Sequence, residues 1–156
     1  MLNKDKNYNK EYGKSHRDYF NKYSKDKYAN DLNFKLSIVI SNAVRLSLKT
    51  GKQGHRWEYL VGYAVEDLVK HLKSKFTDGM TFENYGDYNG NASGWHIDHI
   101  RPVSSFNITS YDCEDFKKCW SLENLQPLWA TTRTINGIEY LGNMNKHAKI
   151  ISNIQR

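Results

Sequence analysis

The chain has 156 residues, 38% of them hydrophobic and 13% aromatic, with a formal net charge of +6, which suits one ordinary domain with an appendage and a small core. No run approaches the roughly 18 consecutive apolar residues of a membrane span, and the polar opening residues lack the apolar stretch of a secretory leader, so a cytoplasmic protein is expected. The charge is uneven: residues 1–56 hold 13 Lys/Arg against 5 Asp/Glu, net +8, and residues 57–156 hold 10 against 12, net −2, a distribution that suits a polyanionic partner, nucleic acid being the simplest, with a solvated basic tail as the plain alternative.

Residues 1–30 interleave Tyr8, Tyr12, Tyr19, Tyr23 and Tyr28 with lysines. Their spacing fits a helix with an aromatic stripe, either lying along DNA or ordering only on binding. In "FKLSIVISNAVRLSLK" (34–49), Leu36, Ile40, Val44 and Leu48 recur every four residues. That predicts a buried amphipathic helix capped by Asp31 or Asn33, while the β-branched run Ile38–Ile40 keeps a strand open. "TGKQGHR" (50–56) is a glycine-containing loop. "VEDLVKHLKSKF" (65–76) predicts a helix with Leu68, Val69, Leu72 and Phe76 as its stripe; acids in its first turn and lysines later suit the helix dipole. His71 lies beside that stripe as a surface or packing residue. Asp78-Gly79 turns the chain.

A Gly/Asn-rich loop (86–94) then leads into a short strand, 95–101, stopped by Pro102. "CEDFKKCW" (113–120) predicts a helical turn. "NLQPLW" (124–129) predicts a second strand, with Pro127 pointing to an exposed edge. "TINGIEYLG" (134–142) predicts a hairpin around Asn136-Gly137, a dipeptide preferred by type I′ turns. Residues 143–154 predict a closing helix with Met144, Ala148, Ile151 and Ile154 inward. Cys113 and Cys119 form no CxxC pair, so no structural zinc is expected and free thiols fit a reducing compartment.

The stretches "WHIDHIRP" (95–102) and "WSLENLQPLW" (120–129) together resemble the HNH endonuclease family, whose active site is a ββα-metal finger. The upstream "LVGYAVEDLVKHLKSKFTDGMTFENYG" also resembles the helical region of phage and bacterial members. The resemblance covers roughly residues 30–150. It implies an α+β fold: a mostly helical basic N-terminal region followed by a ββα-metal finger, here with an inserted β-hairpin. The corresponding divisions are a basic Tyr/Lys-rich arm (1–30), a helical DNA-binding region (31–85) and the nuclease domain (86–156).

The resemblance also implies roles. Asp98 would ligate the metal, His99 would be the general base that deprotonates water, and Asn124 would pin the loop between the strands and orient the base. The last ligand normally falls about nine residues after that Asn, which here is Arg133, unable to bind a cation. After the hairpin, "GNMNK" restores an Asn-x-x-Lys pattern, so Asn143 is taken as the second ligand, with Asn145 and Asn136 as competitors. Elementary chemistry supports such a set. One hard divalent cation on oxygen ligands, Mg2+ first and Mn2+ next, would neutralise phosphate charge, and a histidine with an ordinary pKa near ~6.5 accepts a proton at neutral pH. His96 shares the face of Asp98 as an added ligand, a phosphate contact or a rim residue. Arg101 and Lys146 are phosphate clamps or solvated cations. Trp95, Trp120 and Trp129 are expected to form the finger's core, and Cys119 to be a small buried hydrophobe. The implied activity is metal-dependent hydrolysis of DNA phosphodiesters, by nicking or double-strand cutting, in a monomer or homodimer of phage or bacterial type. The alternative is a DNA-binding module that keeps the finger without catalysis.

Overall fold

The computed structural model describes residues 3–86 and 94–143, with side chains from Lys10 onward. Helices alternate with two small antiparallel sheets, an α+β arrangement. The chain divides into two compact units, Met1–Val39 and Ile40–Arg156, so residues 31–85 are shared between them. Among the described residues no helix is long and apolar enough to cross a membrane.

The first unit is dominated by α1 (Asn3–Asn30). Its side chains from Lys10 to Asn30 are almost all exposed, so among the described residues of this unit nothing buries an apolar face of that stretch of α1. Asp31 ends α1 and starts α2 (Leu32–Ser47). Its N–H donates to the Lys27 carbonyl (2.8 Å), and its carboxylate accepts from the Phe34 N–H (2.9 Å). That is the N-cap expected of an Asp at this place. The helical period prevails over the β-branched run in α2, and Leu36, Ile40, Val44 and Leu48 are all buried.

In the second unit, α3 (Trp57–Val61) closes at Gly62, whose φ of 82° lets its N–H reach the Glu58 carbonyl. Five residues are too few to show a period, and the sequence gives no sign of this helix. In α4 (Val65–Ser74) the Asp67 carboxylate accepts from the Ala64 N–H (3.1 Å), and Leu68 and Leu72 are buried. The helix stops at Ser74, so Phe76 leaves its stripe. It packs instead on Phe82 and Trp95, with ring centroids 4.9 Å away in both cases.

Strand β1 (Trp95–His99) pairs antiparallel with β2 (Leu125–Trp129) in the register Trp95↔Trp129, Ile97↔Pro127, Asp98↔Gln126 and His99↔Leu125. Between them lies α5 (Glu114–Cys119), capped by the Cys113 sulfur accepting from the Phe116 N–H. The ladder bonds alternate. Ala130 donates to Gly94 and Ile100 to Asn124, so Ile97↔Pro127 falls on a non-hydrogen-bonded pair, where a missing N–H costs nothing. The expectation of an exposed edge at Pro127 is corrected: the residue is buried, because other segments cover the outer side of β2. His71 Nε2 meets the Leu125 carbonyl at 2.9 Å, and the Asn143 N–H donates to the Trp129 carbonyl at 2.9 Å. On the outer side of β1, Gly86 N–H donates to the Trp95 carbonyl. The ribbon is thus flanked on both sides at its Trp95–Trp129 end.

Strands β3 (Arg133–Ile135) and β4 (Ile138–Tyr140) form the expected hairpin. Asn136 (φ 52°) and Gly137 (φ 79°) are both left-handed, as a type I′ turn requires. Most of the 86–94 loop and the segment 144–154, with Met144, Asn145, Lys146, Ala148, Ile151 and Ile154, lie outside the described residues. Trp95, Trp120 and Trp129 are buried with Phe116, Cys119 and Leu125. Each indole N–H has an acceptor: the Thr81 carbonyl, Ser47 Oγ and Thr77 Oγ1 respectively, as buried tryptophans require.

Candidate functional site

The candidate site lies at the end of the ribbon opposite the flanked one. Strand β1 ends at His99 and holds Asp98 and His99 as successive paired residues, whose side chains leave opposite faces of an ideal strand, yet near enough for the Asp98 carboxylate to act on the imidazole. The turn that follows is fastened by Asn124. Its Oδ1 accepts from the Arg101 N–H (2.8 Å), and its Nδ2 donates to the carbonyls of Arg101 (3.2 Å) and Cys119 (2.9 Å). Its own carbonyl accepts from Ile100 (2.8 Å) and its N–H donates to Ser121 (3.0 Å). Asn124 therefore ties the exit of β1, the end of α5 and the start of β2 together. An aspartate could not replace it, since both Nδ2 bonds need a donor.

The imidazole of His99 stands edge-on to the Trp120 ring, 4.7 Å between centroids at 83°. Its Nε2 is buried and meets no hydrogen-bond partner among the described residues. Burial disfavours the charged form and holds the pKa of His99 below the ordinary histidine value, against the opposing pull of the Asp98 carboxylate. The lowered pKa favours the neutral imidazole at neutral pH, next to an anion. Trp120 is itself fixed from two sides: its N–H donates to Ser47 Oγ (3.0 Å), and its carbonyl accepts from the Tyr63 hydroxyl (2.9 Å).

Asp98 is half-buried. A single carboxylate open to water is the donor type of a hydrated hard cation, which keeps most of its own waters. Among the described residues no group of three or more His, Cys, Asp or Glu side chains is gathered as a metal cluster. His96 sits two residues before Asp98 on the same face of β1, opposite Leu128. Arg101 is held locally: its guanidinium donates to Ser105 Oγ (3.0 Å) and the Ser105 carbonyl (2.8 Å) and lies 4.1 Å from the Phe106 ring. Two of its five donors are thereby engaged, and the others remain beside the turn that Asn124 fastens.

Asp98, His99, Asn124 and Arg101 are thus brought together. Asn143 is not placed beside them. Its N–H is bound to Trp129, three residues along β2 from the partner of Asp98, or about 10 Å of strand. Arg133, nine residues after Asn124, packs its guanidinium 3.9 Å from the Trp129 ring. Asn136 is accounted for by its turn, and Lys146 and Asn145 lie outside the described residues. Three contributors escaped sequence reasoning: Trp120 as a wall for His99, and Ser47 and Tyr63 as its anchors. The two anchoring contacts join residues 57 and 73 positions apart, which no local pattern signals. A cleft of about 230 Å³ beside β2, lined by Lys75, Thr77, Met80, Pro127, Tyr140 and Leu141 among others, includes none of the site residues.

No family model matches the chain, and no solved structure matches it. It is similar to two proteins of Acanthamoeba polyphaga mimivirus. "Uncharacterized protein L426" is 28% identical over 153 residues, covering 92% of this chain and 64% of that protein. "Uncharacterized protein L246" is 32% identical over 99 residues, covering 64% of this chain and 40% of that protein. The chain therefore spans less than two thirds of either relative, and what it is similar to is viral.

Proposed function

We propose that the chain is a metal-dependent DNA endonuclease of the HNH type, acting inside a virus-infected or bacterial host cell. The observation that carries this reading is the pairing of a half-buried His99, its pKa held below the ordinary histidine value, with the adjacent Asp98 carboxylate, on a turn fastened by Asn124. His99 takes a proton from water as its oxygen attacks phosphorus. The P–O3′ bond breaks, the 3′-oxygen gains a proton from solvent, and the ends are a 5′-phosphate and a 3′-hydroxyl. Asp98 would hold a divalent cation, Mg2+ or Mn2+, which would neutralise charge on the phosphate. With Asn143 held about 10 Å of strand from the partner of Asp98, an oxygen donor following it, Asn145 first, would supply the second ligand. Arg101, with His96 on the face of Asp98, steadies the phosphate, and Lys146 adds a cation from the closing segment. Trp120 keeps the base aligned. One such site nicks a single strand, and two copies in a homodimer would cut both.

A second reading, a DNA-binding module without catalysis, is favoured by one observation: Arg133 occupies the usual place of the last ligand and is committed to Trp129. Plasmid nicking separates the two. Supercoiled plasmid incubated with the protein and Mg2+ or Mn2+ should become nicked, and His99→Ala should abolish this while leaving DNA binding intact. A wild-type protein that binds DNA but cleaves neither duplex, single-stranded nor branched substrates with either metal overturns the nuclease reading.

A further inference from the structure

The exposed row of rings on α1 has no part in the chemistry above. Tyr12, Tyr19, Phe20 and Tyr23 are 51–66% exposed. With His16 they fall within about 100° of the helix circumference, at successive turns about 6 Å apart. Four of the rings form a file: Tyr12 and His16 have centroids 4.6 Å apart, His16 and Phe20 5.8 Å, Tyr19 and Phe20 5.6 Å, and Tyr23 follows one turn after Tyr19. Lys27 extends it, lying 6.0 Å from the Tyr23 ring. Arg17 and Lys22 flank the file on its two sides, each about 60° round the helix. Residues 10–30 hold six Lys/Arg against three Asp/Glu, and Asp26, the acid bordering the row, comes after its last ring. A helix needs none of these rings at solvent-facing positions, where lysine and glutamate serve it better. A purely phosphate-binding helix would need only the cations.

We propose that this face of α1 is a stacking platform for unpaired bases, so that the protein engages single-stranded stretches of DNA. In duplex DNA the faces of the bases are covered by their neighbours, and only phosphates and groove edges are offered. Ring faces gain a partner only where bases leave the stack, and such stacking tolerates any sequence because every base has a π-face. The flanking cations follow the backbone by charge complementarity. The proposal rests on the nucleic-acid side of the function proposed above and names the form of substrate. It does not depend on cleavage.

The test is binding by the full-length protein in EDTA, read by anisotropy of a labelled oligothymidylate of about 20 nucleotides and of a duplex of equal length. Single strands should bind at least about tenfold more tightly than the duplex. Tyr19→Ala/Tyr23→Ala should lose about tenfold or more on the single strand and less than about twofold on the duplex, with an unchanged salt slope because no charge is altered. Tyr19→Phe/Tyr23→Phe keeps the rings and should retain binding. Alanine is the best helix former, so the helix survives the test. Equal affinity for both forms, or equal loss on both, overturns the proposal. So does a wild-type dimer that the alanine variant converts to monomer with single-strand binding unchanged, which would make the face a self-association surface. Plasmid nicking measured alongside keeps the two ideas apart. Ring-dependent binding without nicking supports the platform and removes the nuclease, and nicking without ring-dependent binding does the reverse.

Discussion

Asn124 does more at the scale of a single residue than any other side chain near His99. Three side-chain hydrogen bonds converge on it, one accepted and two donated. Each is worth about 1 kcal/mol net, and their loss also strands the Arg101 and Cys119 carbonyls near a partly buried turn. Asn124→Ala should therefore lower unfolding stability by about 2–3 kcal/mol, read as a lower denaturant midpoint at unchanged slope. Because the same bonds set where β1 ends, plasmid nicking should fall with it even where the variant is fully folded. Asn124→Asp should not rescue either property, since a carboxylate accepts but does not donate. That an asparagine at this position fastens the turn was legible in the sequence. Which three groups it would bind was not, because one of them, the Cys119 carbonyl, belongs to the end of α5, whose docking depends on Phe116 and Trp120 being buried.

At the scale of elements, the sequence announced most of what the structure contains. The four-residue stripe of α2, the charge order of α4, the paired short strands and the Asn136-Gly137 turn all follow from periods and turn chemistry that act over a few residues. What could not be read was how edges are covered. The outer side of β2 is closed by a histidine from α4 and by the chain leaving β4, contacts set by packing, and Pro127 is buried as a result. The return from β4 is tight: a Cβ on Gly142 would overlap the Thr131–Thr132 backbone, while the Gly142 N–H donates to Thr132 Oγ1 at 3.1 Å. Gly142→Ala should push the hairpin off β2 and cost about 1–3 kcal/mol, the range of an overpacked site. Gly13→Ala, in mid-α1 with open space around it, should instead raise helicity, worth up to about 1 kcal/mol. Circular dichroism with thermal melts reads both, and a Gly142→Ala protein as stable as wild type would refute the close approach.

Within the unit Ile40–Arg156, the candidate base is positioned by segments far apart along the chain. Trp120 touches His99, and Trp120 is held by Ser47 at the end of α2 and Tyr63 after α3. The base is therefore coupled to the packing of the whole unit, and stability and chemistry at this node are separable by two substitutions. Ser47→Ala leaves the buried indole N–H without its acceptor, costing about 1–3 kcal/mol, but keeps the ring beside His99. Trp120→Phe removes the N–H together with part of the wall that excludes water. With more water at the imidazole, the burial that holds its pKa down weakens, so the pKa rises toward the ordinary value. A base works only while deprotonated, so the acid limb of nicking in wild type should lie below the usual histidine range. In Trp120→Phe that limb should move to higher pH, and in Ser47→Ala it should stay put although both proteins melt earlier. Single-turnover nicking rates across pH, measured well below both melting temperatures, distinguish these outcomes. An acid limb that is the same in all three proteins would mean that Trp120 only fills the core, and the wall it presents to His99 would carry no chemical consequence.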